Sequence, residues 1–390
     1  MKTFNVETGK LEHLKLSKIN FDFPERGIAD LDSLVLTPPF VDLHTHVRLN
    51  GGENYESLTS AAIAGGFLVL NIQPNTRPPI DSLEVLEKHI ELSKNKLVAY
   101  NYTINLFSQI DNLEMVNKEY GEKISGYSTD GITYYSNDLV NGFRSKKPYL
   151  VFDHSQLHEI AGDFYLGSPL PNSARTYSNE AIAIFRTVMT GLEFGFKRFH
   201  IQHVSTLISI ETISYLRKYA LITCEVTPHH IFFTPDMVNH PNRKINPPIS
   251  KYKDELIDAV RKGLIDTFAT DHAPHPEKPE NYEEAPYGSS HIEVAFSVYF
   301  TVFQDIELVL RNLTINPLKV LAKKYTDYGL RFPDDALLID TMHSYNVDTS
   351  KFFSKGKNCA FDGCKLRGKI LGVRRKGRWV YWNGEFISTL

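Results

Sequence analysis

The 390-residue chain has a net charge of −3, with 42% hydrophobic and 23% charged residues, the balance of a globular protein. A pI near 6.6 gives no electrostatic reason to expect nucleic acid or an anionic membrane as partner, and no apolar run reaches the roughly 18 residues that span a bilayer. Three cysteines (Cys224, Cys359, Cys364) without CxxC spacing argue against a disulfide framework or a thiolate zinc site, so a cytoplasmic protein is expected.

The N-terminal MKTFNVETGK lacks the apolar stretch of a signal peptide. Short runs rich in Val, Ile, Phe and Tyr then alternate with helical stretches, the βα pattern of a parallel sheet. Eight strands are predicted in chain order: Leu36–Leu43, Phe67–Ile72, Leu97–Ile104, Ile124–Ser128, Tyr149–Phe152, Arg198–Gln202, Ala220–Val226 and Asp266–Ala269. Between them fall helices such as Tyr55–Ala64, Ser82–Lys94, Ser178–Phe194, Thr206–Lys218 and Asp254–Lys262. Eight such units suit a closed (β/α)8 TIM-type barrel, with a doubly wound open sheet as the competitor. The ends break the pattern. Residues 1–35 and 330–390 read as one small β domain formed by both termini, flanking a barrel over 36–329. Its basic cluster (Lys365, Arg367, Lys369, Arg374, Arg375, Lys376, Arg378) reads as a solvated hairpin face.

The chemistry gathers at predicted strand ends, where barrel active sites form. Strand 1 runs into Asp42-Leu43-His44-Thr45-His46, and residues i and i+2 of a strand project to one side. Two imidazoles so placed can chelate one divalent ion. Strand 4 ends in Asp130, strand 5 in Asp153-His154, strand 6 in His203, strand 7 in His229-His230, and strand 8 in Asp271-His272 and His275. A lone histidine there is usually structural; the set points to a metal site. Imidazole and carboxylate without thiolate suit Zn²⁺, with Mn²⁺ or Co²⁺ as substitutes, and so predict hydrolysis at a carbonyl or phosphoryl centre.

These residues resemble the dihydroorotases of the amidohydrolase superfamily. The similarity is carried by DLHTHVR (42–48), AAIAGGF (61–67), PNT (74–76), HVST (203–206), EVTPHH (225–230), KINPPI (244–249), TDHAPH (270–275), AP.G....E (285–293) and the closing stretch Ser354–Lys369. The resemblance implies a cyclic amide hydrolase that interconverts dihydroorotate and N-carbamoyl-L-aspartate in pyrimidine (UMP) synthesis. It implies one or two Zn²⁺ per subunit, with His44, His46 and Asp271 holding the first ion and His154 and His203 the second. STDG (128–131) is similar to the class in which an aspartate, here Asp130, replaces a bridging carboxylated lysine; Lys123 stands at the wrong end of the strand. Asp271 would also shuttle the proton. Arg48 and Asn75 would hold the substrate carboxylate, and Asn246 and His275 would make further substrate contacts. His229, His230 and His272 receive no ligand role.

Three motifs depart from the family. REPG reads Arg48-Leu49-Asn50-Gly51, HCED reads His154-Ser155-Gln156-Leu157, and MPNT reads Gln73-Pro74-Asn75-Thr76. The alternatives are another cyclic amidase (hydantoinase, dihydropyrimidinase or allantoinase type) and a catalytically silent scaffold. The expected partner is a small molecule, with neither nucleic acid nor membrane; self-association or a complex with another pyrimidine-pathway enzyme is left open. Phe232–Pro248 and Glu277–Gly288 are long enough to close over a substrate.

Overall fold

The computed structural model describes residues 1–13, 31–49, 52–160, 162–167 and 175–387. Residues 14–30, within the expected terminal β domain, and Asn50 and Gly51 of the changed REPG motif lie outside them.

Both ends of the chain meet in one sheet. β1 (Lys2–Asn5), β2 (Lys10–His13) and β3 (Leu34–Thr37) come from the N-terminal segment. β4 (Phe40–Thr45) to β11 form the barrel, and β12 (Ala336–Asn346), β13 (Lys365–Arg375), β14 (Arg378–Trp382) and β15 (Glu385–Phe386) follow it. The terminal sheet runs β15-β14-β13-β12-β3-β1-β2. Lys376 and Gly377 (φ 51° and 78°) turn β13 into β14, and Asn383 and Gly384 (φ 46° and 97°) turn β14 into β15. Two-residue hairpin turns need such left-handed positions.

The barrel strands are β4, β5 (Phe67–Ile72), β6 (Ala99–Asn105), β7 (Ile124–Ser128), β8 (Val151–Asp153), β9 (Arg198–Ile201), β10 (Leu221–Val226) and β11 (Thr267–Phe268). All neighbours pair in parallel. A parallel bridge between Thr45 and His272, with His46 N–H donating to the His272 carbonyl at 2.9 Å, joins the last unit to the first. This is a (β/α)8 barrel and not the open doubly wound sheet. Because its strands are buried on both faces they read as nearly continuous apolar runs.

The predicted first strand, Leu36–Leu43, is in fact parts of two. Pro38 and Pro39 carry no N–H to continue a ladder, so the chain breaks there. β3 pairs with β1 and β12 in the terminal sheet, while β4 pairs with β5 in the barrel.

The intervening helices start and stop for local reasons. α1 (Tyr55–Gly65) is capped by Asn54, whose side chain accepts from Ser57 N–H, and ends at Gly66 with φ 87°. That explains the paired glycines of AAIAGGF: Gly66 supplies the left-handed cap, and a Cβ on Gly65 would run into the Ile292 carbonyl. α2 (Leu83–Ser93), α3 (Leu113–Tyr120), α4 (Ser136–Arg144), α5 (Asn179–Glu193) and α6 (Leu207–Leu216) follow. Thr206, the last residue of HVST, caps α6 by accepting from Ser209 N–H. α7 (Pro228–Phe232), α8 (Lys253–Arg261), α9 (Ala295–Phe303), α10 (Ile306–Leu313) and α11 (Ile315–Leu321) complete the outer layer. The core lies between strands and helices, where residues such as Leu68, Leu70, Ile184 and Phe196 are fully buried. Each contributes about 1.5–3 kcal/mol.

Candidate active site

The C-terminal strand ends of the barrel deliver their polar side chains into one buried cluster. His44 and His46, on β4 and just past it, project together, with ring centroids 5.2 Å apart. Asp271, beyond β11, meets both: its Oδ1 lies 3.5 Å from His44 Nε2 and 3.2 Å from His46 Nε2. Asp130, just after β7, faces two ways. Its Oδ2 lies 3.6 and 3.5 Å from the same two nitrogens, and its Oδ1 lies 3.5 Å from His154 Nδ1. His154 Nδ1 in turn is 2.9 Å from His203 Nε2. The six sequence-predicted ligands thus stand together, with Asp130 between the His44–His46 pair and the His154–His203 pair. Lys123 precedes β7 at the opposite end of the strand from Asp130.

The donor set fits a cation. Donor atoms of His44, His46 and Asp271 all lie within 4.8 Å of one another, and Asp130 Oδ2 is buried without a hydrogen-bond partner. A buried carboxylate oxygen left unpaired is costly, and a positive ion between it and the facing nitrogens removes that cost. The electrostatics agree. Burial raises the Asp130 pKa, but the imidazoles of His46, His44 and His154 outweigh it and hold the carboxyl well below its usual range. Burial and the neighbouring His154 and His44 rings push His203 well below an ordinary histidine. It is therefore neutral and able to donate a lone pair.

A cavity of about 350 Å³ opens over the cluster, and Arg48, Asn75, Asn246 and His275 stand in its wall. An adjoining space of about 280 Å³ shares Arg48, Asn75, Arg77 and His275 and adds Leu49 and Thr76. The NPP loop brings Asn246 across the cavity, where its Nδ2 lies 3.1 Å from His154 Nε2.

No family model matches the chain. A protein from Thermotoga maritima named "Putative dihydroorotase" is 50% identical over 374 residues, covering 95% of each chain. The dihydroorotase of Aquifex aeolicus is 30% identical over 399 residues, covering 96% of this chain and 94% of its own. The chain belongs to the dihydroorotase family. Among solved structures, the L-hydantoinase (dihydropyrimidinase) of Arthrobacter aurescens superposes with a TM-score of 0.76 at 20% identity, over 91% of this chain and 87% of that one. That likeness concerns the fold.

Against the dihydroorotase motifs, two changed segments still make hydrogen bonds. Where HCED reads HSQL, Gln156 Oε1 accepts from Asn246 Nδ2 at 3.0 Å, and Ser155 Oγ donates to the Asp153 carboxylate. Where MPNT begins with glutamine, Gln73 Nε2 donates to the Leu43 carbonyl at 3.0 Å, and its Oε1 accepts from Ser128 Oγ at 3.1 Å. The unassigned histidines are buried in hydrogen-bonded positions. His230 bridges Thr227 Oγ1 (2.7 Å) and the Pro247 carbonyl (3.0 Å), His229 meets Thr227 Oγ1 at 2.8 Å, and His272 Nδ1 accepts from the His291 N–H at 3.2 Å.

Sequence reasoning passed over Glu225. It stands in EVTPHH, is fully buried, and meets His44 Nδ1 at 2.7 Å and His200 Nε2 at 2.9 Å. Burial raises its pKa, but the hydrogen bonds from His200 and His44 prevail and bring it to about 2. The available signal was period two: Thr223 and Glu225 alternate along β10, with Thr227 just past its end, so side chains at this spacing in the strand share one face.

Proposed function

We propose that this chain catalyses the reversible hydrolysis of the dihydroorotate ring to N-carbamoyl-L-aspartate. The observation that carries the reading is a guanidinium, Arg48, in the wall of a cavity floored by paired imidazoles and two carboxylates, in a chain of this family. His44, His46, Asp130, His154, His203 and Asp271 would hold one or two Zn²⁺. When bound, such an ion polarises a carbonyl oxygen and lowers the pKa of water to about 7.

The remaining roles belong to the chain's own side chains. Arg48 can pair two N–H groups with the two oxygens of the substrate carboxylate, and Asn75 and His275 flank it. Asn246 reaches the ring amide. Asp271 accepts the proton of the attacking water and passes it to the departing ring nitrogen as the carbon–nitrogen bond breaks. Opening creates a second carboxylate and releases a proton at neutral pH. Each unit of pH above the range of that acid therefore favours the open form about tenfold, and closure is favoured at low pH. The reaction places the protein in pyrimidine synthesis, and its three free cysteines suit the reducing cytoplasm.

Arg48→Ala tests the reading. Truncating one partner of a buried ion pair costs about 2–5 kcal/mol, so kcat/KM for dihydroorotate should fall at least about 30-fold. An uncharged cyclic amide such as hydantoin, which has no carboxylate, should be a poor substrate for parent and variant alike. Full activity of the variant on the uncharged ring would support a hydantoinase-type enzyme instead. A purified protein that binds no metal and turns over in neither direction would be the silent scaffold.

A further inference from the structure

Directly beneath the cluster the barrel lumen is polar, where such lumens are usually packed with Val, Ile and Leu. His200 on β9 and Glu225 on β10 are both fully buried there. Taking a carboxylate out of water costs several kcal/mol even after relaxation, so Glu225 needs partners that hold it. It has three. Oε1 accepts from His44 Nδ1 at 2.7 Å and from the backbone N–H of His203 at 3.4 Å, and Oε2 accepts from His200 Nε2 at 2.9 Å. The other His200 nitrogen, Nδ1, lies 2.8 Å from Thr223 Oγ1.

Each imidazole turns one ring nitrogen to the Glu225 carboxylate, which leaves the ring one other nitrogen. For His200 that nitrogen meets the Thr223 hydroxyl. For His44 it is Nε2, which faces Asp130 and Asp271. A proton held on Nδ1 by Glu225 leaves Nε2 as the nitrogen that would hold a cation in the cluster. Its hold on His203 is of a different kind. His203 has φ 32°, a left-handed conformation that costs an L residue roughly 1–3 kcal/mol and persists only where surroundings enforce it. The backbone N–H of this same residue is the one Glu225 accepts.

We infer that Glu225 is a positioning residue for the cation site, fixing the ring of His44 and the backbone of His203, with His200 completing its hydrogen bonds. One carboxylate thereby orients a donor from each half of the cluster. The inference rests on the proposed reading of His44 and His203 as metal ligands.

The test uses full-length protein stripped of metal by a chelator and titrated with zinc against a chromophoric competitor. Glu225→Gln should bind zinc about 10–100-fold more weakly, the usual effect of losing a ligand's outer partner. The cobalt(II) form should show a shifted visible d–d spectrum, which a change confined to stability would not produce. Glu225→Gln that matches the parent in both zinc affinity and cobalt spectrum overturns the inference. If that variant does not fold, His200→Gln decides, because it keeps the carboxylate and removes only its second imidazole. It should weaken zinc in the same direction by a smaller factor, and unchanged affinity in His200→Gln overturns the inference equally. A parent protein that binds no zinc, or a His44→Asn variant that binds as tightly as the parent, would instead sink the ligand reading itself.

Discussion

Asp130 offers one oxygen to the His44–His46 pair, at 3.5–3.6 Å, and the other to His154, at 3.5 Å. A carboxylate can bridge in this way because its charge is shared between equivalent atoms; an amide of the same shape has one acceptor and one donor end. Asp130→Asn should therefore bind zinc still more weakly than loss of an outer partner would cause, by more than the roughly 10–100-fold of that case. Metal content after gel filtration checks this, and a variant that keeps the parental content would remove Asp130 from the ligand set. Residues of this kind were legible in the sequence because they stand just past apolar runs, where a barrel exposes its side chains. Glu225 was not. It sits inside a run, and its partners His200 and His44 lie 25 and 181 residues away, a proximity that only closure of the barrel creates. Gln156 was legible as a departure from the family, but its contact with Asn246 spans 90 residues.

At the scale of elements, the eight predicted barrel strands match the observed ones to within a few residues, since hydrophobic runs fix their existence better than their ends. The exception is the first, where an apolar stretch continuous through Pro38 and Pro39 serves two sheets. A second junction joins α9 to the closing segment of the chain. Glu293, just before α9, accepts N–H bonds from Phe353 (3.1 Å) and Ser354 (2.9 Å). Burial, the largest influence, outweighs those hydrogen bonds and pushes its carboxyl up to about 8 from 4.5. The folded protein therefore holds a proton there that the unfolded chain has released. The stabilisation is complete below pH 4.5 and is lost as pH rises through about 8. Glu293→Gln surrenders one backbone hydrogen bond at every pH but has no proton to lose. Its deficit in melting temperature should be largest near pH 5 and shrink by pH 8.5. A deficit constant across that range would mean that Glu293 is ionised throughout.

Across the whole molecule, the far end of the chain reaches back to the mouth of the barrel. Asn358 accepts from the backbone N–H of His275 at 2.8 Å and donates to the carbonyls of Ala273 (3.2 Å) and Gly288 (3.1 Å). Ser354 Oγ donates to Glu53 at 2.5 Å, and Ala360 N–H to Ser289 Oγ at 2.9 Å. The segment after β12 thus clasps the loop that carries His275, and Asn358 holds three residues of the cavity wall from behind without lining the cavity itself. Asn358→Ala should raise KM for dihydroorotate several-fold through a loosened His275 while leaving zinc affinity unchanged. Equal KM values for parent and variant would show that the loop holds its own shape. The family motifs marked this stretch in the sequence without revealing what it grips.

The break at Pro38 and Pro39 also bears on how the protein comes apart. The strand that carries His44 begins three residues after β3, which lies between β1 and β12 near the middle of the terminal sheet. There is no linker to absorb motion between them, so the terminal sheet cannot melt without tugging on the first barrel strand. Unfolding should accordingly be cooperative across both sheets, with a single calorimetric transition whose calorimetric and van't Hoff enthalpies agree. Two resolved transitions would mean that two prolines are joint enough for the sheets to part.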